Sequence, residues 1–116
     1  MSFRFRRTER LKGRDEIRKV FSSGKNVSCS GMKLFYMENG LSLNRIAFTF
    51  GRKYGTAVER NRSRRLSREV YRHLKQNLYS GYDFVLLAYP GKDTFSQRTD
   101  QLRLLFSKAG LYMDIT

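Results

Sequence analysis

A strongly basic segment with helical periodicity, residues 52–75 (RKYGTAVERNRSRRLSREVYRHLK), constrains the fold of this chain more than any other feature. From Ala57 onward the segment contains no Gly or Pro that would end a helix. At about 100° per residue, its apolar side chains and that of one residue just beyond it fall in a sector about 140° wide. These residues are Leu66, Val70, Tyr71, Leu74 and Leu78. The pattern predicts one long helix, ending near residue 79, that packs against a core along a single side.

The adjoining side of the same predicted helix is nearly all arginine. Its residues are Arg60, Asn61, Arg64, Arg65, Arg68, Arg72 and Lys75. From Arg60 to Arg72 an arginine recurs at every fourth position, where like charges repel by about 0.2–0.5 kcal/mol per pair. A bound polyanion would relieve this repulsion, and planar guanidinium groups match phosphate oxygens bidentately. The row therefore predicts a nucleic-acid-binding helix, with an ordinary basic surface as the alternative.

The overall charge agrees with a nucleic-acid partner. The chain has 116 residues and a formal net charge of +14, and 40% of its residues are hydrophobic, which excludes a disordered basic tail. An anionic membrane surface is the weaker alternative. No apolar run approaches the roughly 20 residues that span a bilayer, and the N-terminus lacks the apolar core of a secretory signal. We expect one domain, residues 1–116, that binds nucleic acid in the cytoplasm and not at a membrane.

Turn residues divide the chain into segments with helix or strand periodicity. Residues 25–37 are extended and alternate in their second half, and the Asn39-Gly40 turn predicts that residues 32–37 and 45–50 pair as an antiparallel hairpin. Residues 82–89 form an apolar run typical of a strand buried on both faces. The predicted elements are a helix at 14–21, strands at 32–37 and 45–50, the long helix, a strand at 82–89 and a helix after Thr94. The order αββαβα predicts an α/β (α+β) two-layer sandwich, in which a small mixed sheet packs with the long basic helix and two shorter helices.

The chain lacks the sequence patterns of a catalytic or metal site. A nuclease needs a general base, a cluster of metal-binding carboxylates or an activated nucleophile, and the ten acidic residues form no D-x-D or E-x-x-H pattern. Cys29 is the only cysteine, which excludes an internal disulfide and a zinc cluster. We expect a binding protein with no catalytic residue and no metal ligand of its own. A protein-only nuclease is the remaining alternative.

Aromatic residues indicate the form of the nucleic acid. Single strands are held by stacking rings beside a basic groove, and Phe21, Phe35, Phe48 and Phe50 are candidates, with burial in the core as the alternative for each ring. Residues 1–12 also alternate basic and aromatic side chains. They are either a frayed terminus or a flexible arm that binds RNA, and the sequence leaves both open.

Residues 53–68 contain a spaced motif that resembles the signature of the bacterial ribonuclease P protein component. A basic residue and Gly are followed by Ala-Val, then Arg-Asn-Arg, a basic pair and a further Arg. In this chain these residues are Lys53, Gly55, Ala57, Val58, Arg60, Asn61, Arg62, Arg64, Arg65 and Arg68. Residues 10–24 and 102–112 are similar to the first and last helices of the family. The resemblance covers nearly the whole chain.

The resemblance implies an α/β sandwich with a left-handed βαβ crossover, and a role as protein subunit of a ribonucleoprotein. The ribonuclease P holoenzyme is an endoribonuclease that removes the 5′ leader from precursor tRNA. Its RNA subunit and bound Mg²⁺ carry the hydrolysis, and no cofactor is assigned to the protein itself. The implied partners are one catalytic RNA, in a 1:1 complex, and precursor tRNA. A general RNA-binding or ribosomal-type protein without a processing role is the alternative.

The family likeness also implies two binding surfaces. The residues expected to bind RNA are Arg52, Lys53, Arg60, Asn61, Arg62, Arg64, Arg65, Arg68 and Arg72. Those expected to line a cleft for the single-stranded leader are Ile17, Phe21, Phe35 and Phe48. At Ile17 the family often has Phe, so one stacking ring is absent, and at Arg64 it commonly has Lys.

Overall fold

The computed structural model of the chain describes residues 5–91 and 93–113. Within these residues three α-helices and four β-strands follow the order αβββαβα. They are α1 (Arg14–Ser23), β1 (Lys25–Cys29), β2 (Met32–Glu38), β3 (Arg45–Phe50), α2 (Ala57–Leu74), β4 (Tyr82–Ala88) and α3 (Phe95–Lys108). Short 3₁₀ turns at Arg7–Glu9 and Lys75–Asn77 precede α1 and follow α2. None of the described helices is long and apolar enough to cross a membrane.

The four strands form one mixed sheet in the spatial order β1-β2-β4-β3. β1 and β2 are an antiparallel hairpin, β2 pairs antiparallel with β4, and β3 pairs parallel with β4. The turn of the hairpin needs a glycine, because Gly31 has φ of 85°. α2 connects the parallel strands β3 and β4, as a βαβ crossover requires. The predicted mixed α/β fold is confirmed, and the left-handedness of the crossover stays a prediction.

The predicted pairing of residues 32–37 with 45–50 is wrong, because β4 lies between β2 and β3. Phe84, Val85 and Leu86 of β4 are at most 1% exposed, so both faces of this strand are covered. A strand of this composition is most stable in the interior of a sheet, with a neighbour on each side. The order αββαβα also omitted one strand, since residues 25–29 pair with β2. The long helix is shorter than predicted and gives way to a 3₁₀ turn after Leu74.

One face of the sheet packs against α2 and α3. The buried residues of this larger cluster include Met32, Leu34, Ile46, Val70, Tyr71, Leu74, Phe84, Leu86, Leu102, Leu105 and Phe106. Of the predicted apolar side of α2, Val70, Tyr71 and Leu74 are buried, whereas Leu66 is only half-buried. Leu78, which lies beyond the helix, is also buried.

The other face of the sheet packs against α1. Leu11, Val20, Ala47 and Val85 form a second buried cluster there. The half-buried side chains of Ile17, Phe35 and Met37 pack against it. The sheet therefore has helices on both faces, and α1 adds a layer to the predicted two. This second face includes Ile17 and Phe35, two of the residues predicted to line the leader cleft.

Candidate nucleic-acid interface

A capping box fixes the start of α2. The hydroxyl of Thr56 accepts a hydrogen bond from the backbone N–H of Glu59 at 3.2 Å, and Oε1 of Glu59 accepts one from the N–H of Thr56 at 3.3 Å. Gly55 precedes the cap with φ of 143°, and a β-carbon there would lie 2.9 Å from the Glu59 carboxylate. The sequence Gly-Thr-x-x-Glu thus sets where the basic helix begins.

The RNA-binding residues predicted from the sequence lie on α2 and on the loop before it. Arg60, Asn61, Arg62 and Arg65 are exposed, as are the loop residues Arg52 and Lys53. Three further arginines are half-buried: Arg64, Arg68 and Arg72. The predicted set therefore occupies one helix and its preceding loop, and six of its nine members are exposed.

The charges of the basic row are not equally balanced. Arg72 pairs with Glu69 at 2.6 Å, and this hydrogen bond lowers the pKa of Glu69 and raises the pKa of Arg72. Within the described residues no carboxylate lies within salt-bridge distance of Arg62 or Arg65. The salt bridges of the described residues likewise leave out Arg60, Arg64 and Arg68, so the uncompensated charge extends from Arg60 to Arg68.

Two arginines of the row lie against aromatic rings. The guanidinium of Arg64 is 5.2 Å from the ring centroid of Phe50, and Nη1 donates to Oδ1 of Asn61 at 2.7 Å. The guanidinium of Arg68 is 5.8 Å from the ring centroid of Phe5. Cation–π contacts of this kind are attractive and keep a flexible cationic side chain in one orientation. The rings therefore orient this part of the basic surface.

A buried polar network, which sequence reasoning missed, holds α2 against α3. Arg98 is only 3% exposed and donates to the hydroxyls of Ser63 and Ser67 and to the carboxylate of Asp93. The phenol of Tyr54 donates to the same carboxylate at 2.6 Å. Burial, and then the bond to Asp93, raises the pKa of Tyr54. The network fixes the loop that carries Arg52 and Lys53 as well as the basic helix.

One sequence signal could have indicated this network. Ser63 and Ser67 are spaced i, i+4 and continue the apolar side of α2 toward its N-terminus. A pair of small polar residues in that position predicts a polar partner across the helix interface. The identity of the partner, Arg98, follows only from the tertiary structure.

On the opposite face of the sheet, three of the four predicted leader-cleft residues lie together. The rings of Phe21 and Phe35 meet edge to face with centroids 4.7 Å apart. Ile17 and Phe35 both pack against the buried cluster under α1. Nζ of Lys33 is 5.7 Å from the ring centroid of Phe35. Phe21 is 36% exposed, so a base has access to this ring. We call this group, which consists of Ile17, Phe21, Lys33 and Phe35, the aromatic cleft.

The fourth predicted cleft residue, Phe48, lies elsewhere. Its neighbour Ala47 belongs to the cluster under α1, and alternation along β3 directs Phe48 to the α2 side. There its ring packs 6.5 Å from Tyr71 and 6.3 Å from Phe5. The structure thus does not bring Phe48 together with Phe21 and Phe35.

The N-terminal segment packs along the outer edge of β3. The backbone N–H of Leu11 donates to the carbonyl of Ile46 at 3.0 Å. Of the arm predicted at residues 1–12, residues 1–4 lie outside the described part of the chain. From Phe5 onward the segment lies on the protein, between the aromatic cleft and the basic helix.

Five of the nine carboxylates in the described residues are paired with Lys or Arg. The pairs are Asp83 and Glu16 with Arg45, Asp93 with Arg98, Glu9 with Lys75 and Glu69 with Arg72. Arg45 binds Asp83 through Nε and Nη2 at 2.8 and 2.7 Å, which raises the pKa of Arg45. No group of three or more His, Cys, Asp or Glu side chains in the described ranges is arranged to hold a metal ion.

Comparison with known proteins identifies the same family across the chain. The Ribonuclease P family model matches residues 5–110. A ribonuclease P protein component of Caldanaerobacter subterraneus subsp. tengcongensis is 36% identical over 105 residues, covering 89% of this chain and 90% of that relative. Another, from Natranaerobius thermophilus, is 45% identical over 78 residues, covering 67% of this chain and 68% of that relative.

Solved structures agree in fold. The RNase P protein from Thermotoga maritima matches with a TM-score of 0.73 at 28% identity, over 84% of this chain and 94% of that one. The Staphylococcus aureus RNase P protein matches with a TM-score of 0.78 at 20% identity, over 90% of this chain and 97% of that one, a likeness of fold alone.

Proposed function

This chain belongs to the ribonuclease P protein family, and on that premise we propose which of its surfaces holds each RNA. Members of the family are protein subunits of the endoribonuclease that processes the 5′ end of tRNA, and this chain has that role. Its partners are the RNA of ribonuclease P and precursor tRNA. The proposal assigns one surface to each.

The basic helix and its preceding loop bind the catalytic RNA. The observation that supports this assignment is the exposure of Arg62 and Arg65, which have no carboxylate within salt-bridge distance in the described part of the chain, together with the exposed loop residues Arg52 and Lys53. Phosphate groups would neutralise these charges and release counterions. Arg72 contributes less, because Glu69 already balances its charge. Asn61 holds Arg64 in place.

The aromatic cleft binds the single-stranded 5′ leader. An exposed ring at Phe21, in contact with Phe35 and next to the cation of Lys33, offers both stacking and charge to a single strand. Phe48 is left out of this surface, because its ring packs beneath α2 with Tyr71. The cleft and the basic helix then engage different parts of the precursor complex at the same time.

Hydrolysis is carried by the RNA subunit with Mg²⁺, and the protein supplies no catalytic residue and no metal ligand. The engagement of Asp83, Asp93 and Glu9 by Arg45, Arg98 and Lys75 supports this division of labour, since paired carboxylates are poor bases and poor ligands. We further propose that residues 1–116 form a single RNA-binding domain. One such protein binds one catalytic RNA in the cytoplasm.

Substitution of Phe35 tests the leader assignment. With holoenzyme containing Phe35→Ala, we expect the affinity for leader-bearing precursor to fall about tenfold, because stacking contributes about 1–3 kcal/mol per base. The affinity for mature tRNA should stay unchanged. Phe95→Ala is the matched control, since Phe95 is an exposed ring on α3, on the other side of the sheet. Equal losses for precursor and mature tRNA would remove the leader assignment.

A further inference from the structure

A small cavity lies at the outer edge of β3, where the aromatic cleft and the basic helix adjoin. We call it the junction cavity; its volume is about 290 Å³, and it is lined by Arg10, Lys12, Arg64, Arg68, Phe5 and Phe48 together with aliphatic side chains. The hydrogen bond from Leu11 to Ile46 holds Arg10 and Lys12 at the edge of β3, and the guanidinium groups of Arg10 and Arg68 both lie against the ring of Phe5. Residues that are distant in sequence thus meet around one opening.

The charged residues described around the junction cavity are all cationic. Four of its lining residues are cations, and none of its described lining residues is acidic. The nearby carboxylates are engaged elsewhere, Glu9 by Lys75 at 2.9 Å and Glu16 by Arg45 at 3.4 Å. Burial, followed by the charges of Arg10, Arg64 and Arg65, lowers the pKa of Arg68, although an arginine stays protonated at neutral pH. An anion in the cavity would convert this repulsion into attraction.

Arg68 also has an unused hydrogen-bond donor. Its Nε is buried and has no partner among the described residues. A buried donor on a charged group is costly when it is left unsatisfied, so its presence points to a missing acceptor. Arg68 lines the junction cavity, so a group bound there would lie next to this guanidinium.

The surroundings of Phe5 favour a small anion over a stacked base. The ring of Phe5 is occupied by the guanidinium groups of Arg10 and Arg68, at 6.0 and 5.8 Å from its centroid, and it packs against Phe48 and Tyr71. This ring is therefore a support for the cations and not a free stacking surface. The volume is at the lower limit of cavities that hold drug-sized ligands, about 300–1,000 Å³. A phosphate group has the size and the acceptor oxygens that guanidinium donors match.

We propose that the junction cavity binds one phosphate group of the RNA backbone, held by Arg10, Lys12 and Arg68. The RNA identity of the ligand rests on the proposed function, whereas the phosphate chemistry rests on the cavity. Ile17 borders both the junction cavity and the cluster under the aromatic cleft. A phosphate held here would connect the strand in the cleft with the RNA on α2.

The Nε–Hε resonance of Arg68 in ¹⁵N-labelled protein tests the site directly, and its loss in Arg68→Lys assigns it. We expect a saturable shift on titration with inorganic phosphate. Arg10→Gln and Lys12→Gln should each weaken this binding about tenfold, the value of one charge-assisted hydrogen bond. Arg103→Gln is the control, because Arg103 is an exposed cation on α3 outside the cavity. Both cavity variants change exposed side chains, and the spectrum itself reports whether they fold.

The absence of a saturable shift of the Arg68 resonance would overturn the proposal. An equal effect of Arg10→Gln and Arg103→Gln on phosphate affinity would overturn it as well. Catalytic RNA and a leader oligonucleotide are then titrated separately into the protein. The RNA that shifts the Arg68 resonance and competes with inorganic phosphate is the one that supplies the phosphate group. A shift with neither RNA would remove the assignment to RNA. Normal cleavage by the holoenzyme together with no phosphate binding would overturn this site alone and leave the proposed function intact.

Discussion

Arg98 of α3 donates a hydrogen bond to the hydroxyl of Ser67, on the side of α2 that faces away from the RNA-binding row. The same guanidinium binds Asp93, and through Asp93 it is connected to Tyr54 in the loop before α2. A side chain that contacts no RNA in our proposal therefore fixes both parts of the basic surface. The position of the exposed arginines depends on a buried one.

Replacement of Arg98 should destabilise the protein. Arg98→Met leaves the Asp93 carboxylate without its cation, and we expect the free energy of unfolding to fall by about 3 kcal/mol. Urea denaturation followed by circular dichroism measures the change. Arg103→Met, on the exposed side of the same helix, should alter stability by no more than about 0.5 kcal/mol. Equal stability of the two variants would contradict a structural role for the network.

Removal of an unpaired cation from α2 should reduce the salt dependence of RNA binding. Arg65 is exposed and has no carboxylate within salt-bridge distance among the described residues, so we expect Arg65→Ala to weaken assembly with the catalytic RNA. The slope of log K against log salt should flatten by about one unit. Arg72→Ala is the comparison, because Glu69 pairs with Arg72 and the change in slope should be smaller. A larger effect of Arg72 would show that RNA contacts the other end of the helix.

The connection between α1 and β1 should not tolerate a side chain. A β-carbon at Gly24 would lie 2.6 Å from the carbonyl oxygen of Val20 and 2.7 Å from that of Tyr36. We expect Gly24→Ala to lower the free energy of unfolding by about 1–3 kcal/mol, measured by thermal or urea denaturation. At Gly91 the nearest atom would be 4.0 Å away, so Gly91→Ala should have little effect. Similar stability of both variants would show that the α1–β1 junction relaxes easily.

The thiol of Cys29 should react slowly in the folded protein. Burial raises the pKa of Cys29, and the charge of Lys108 partly offsets this effect. Because the thiolate is the reactive form, alkylation by iodoacetamide should require a higher pH in the folded than in the urea-unfolded chain. Lys108→Gln removes the offsetting charge and should move the profile to still higher pH. Mass spectrometry of the alkylated protein gives the rates, and a folded-state profile at or below the unfolded one would refute this account.

The sequence predicted elements well where local patterns decide them, and pairing poorly where tertiary structure does. Asn39 and Gly40 do form a turn, in which the side chain of Asn39 accepts from the N–H of Leu41 at 2.8 Å and Gly40 has φ of 72°. A turn does not determine which strands become neighbours, however, and β4, with both of its faces buried, lies between β2 and β3.

The same distinction applies to the binding surfaces. The i, i+4 row on α2 was visible in the sequence because helix geometry alone puts those residues on one side. The location of Phe48 was not, since a strand has two faces and the sequence does not say which one α1 covers. The junction cavity needed the contact of Leu11 with Ile46, which joins parts of the chain that no local pattern connects.

The most direct test of this account is single-turnover cleavage of 5′-labelled precursor tRNA at low Mg²⁺, with catalytic RNA alone, protein alone and the two together. A cofactor that positions RNA without catalysing hydrolysis should give strong cleavage only in the mixture, and none with protein alone. Cleavage by protein alone, or no gain from adding a protein that binds the RNA tightly, would contradict the account.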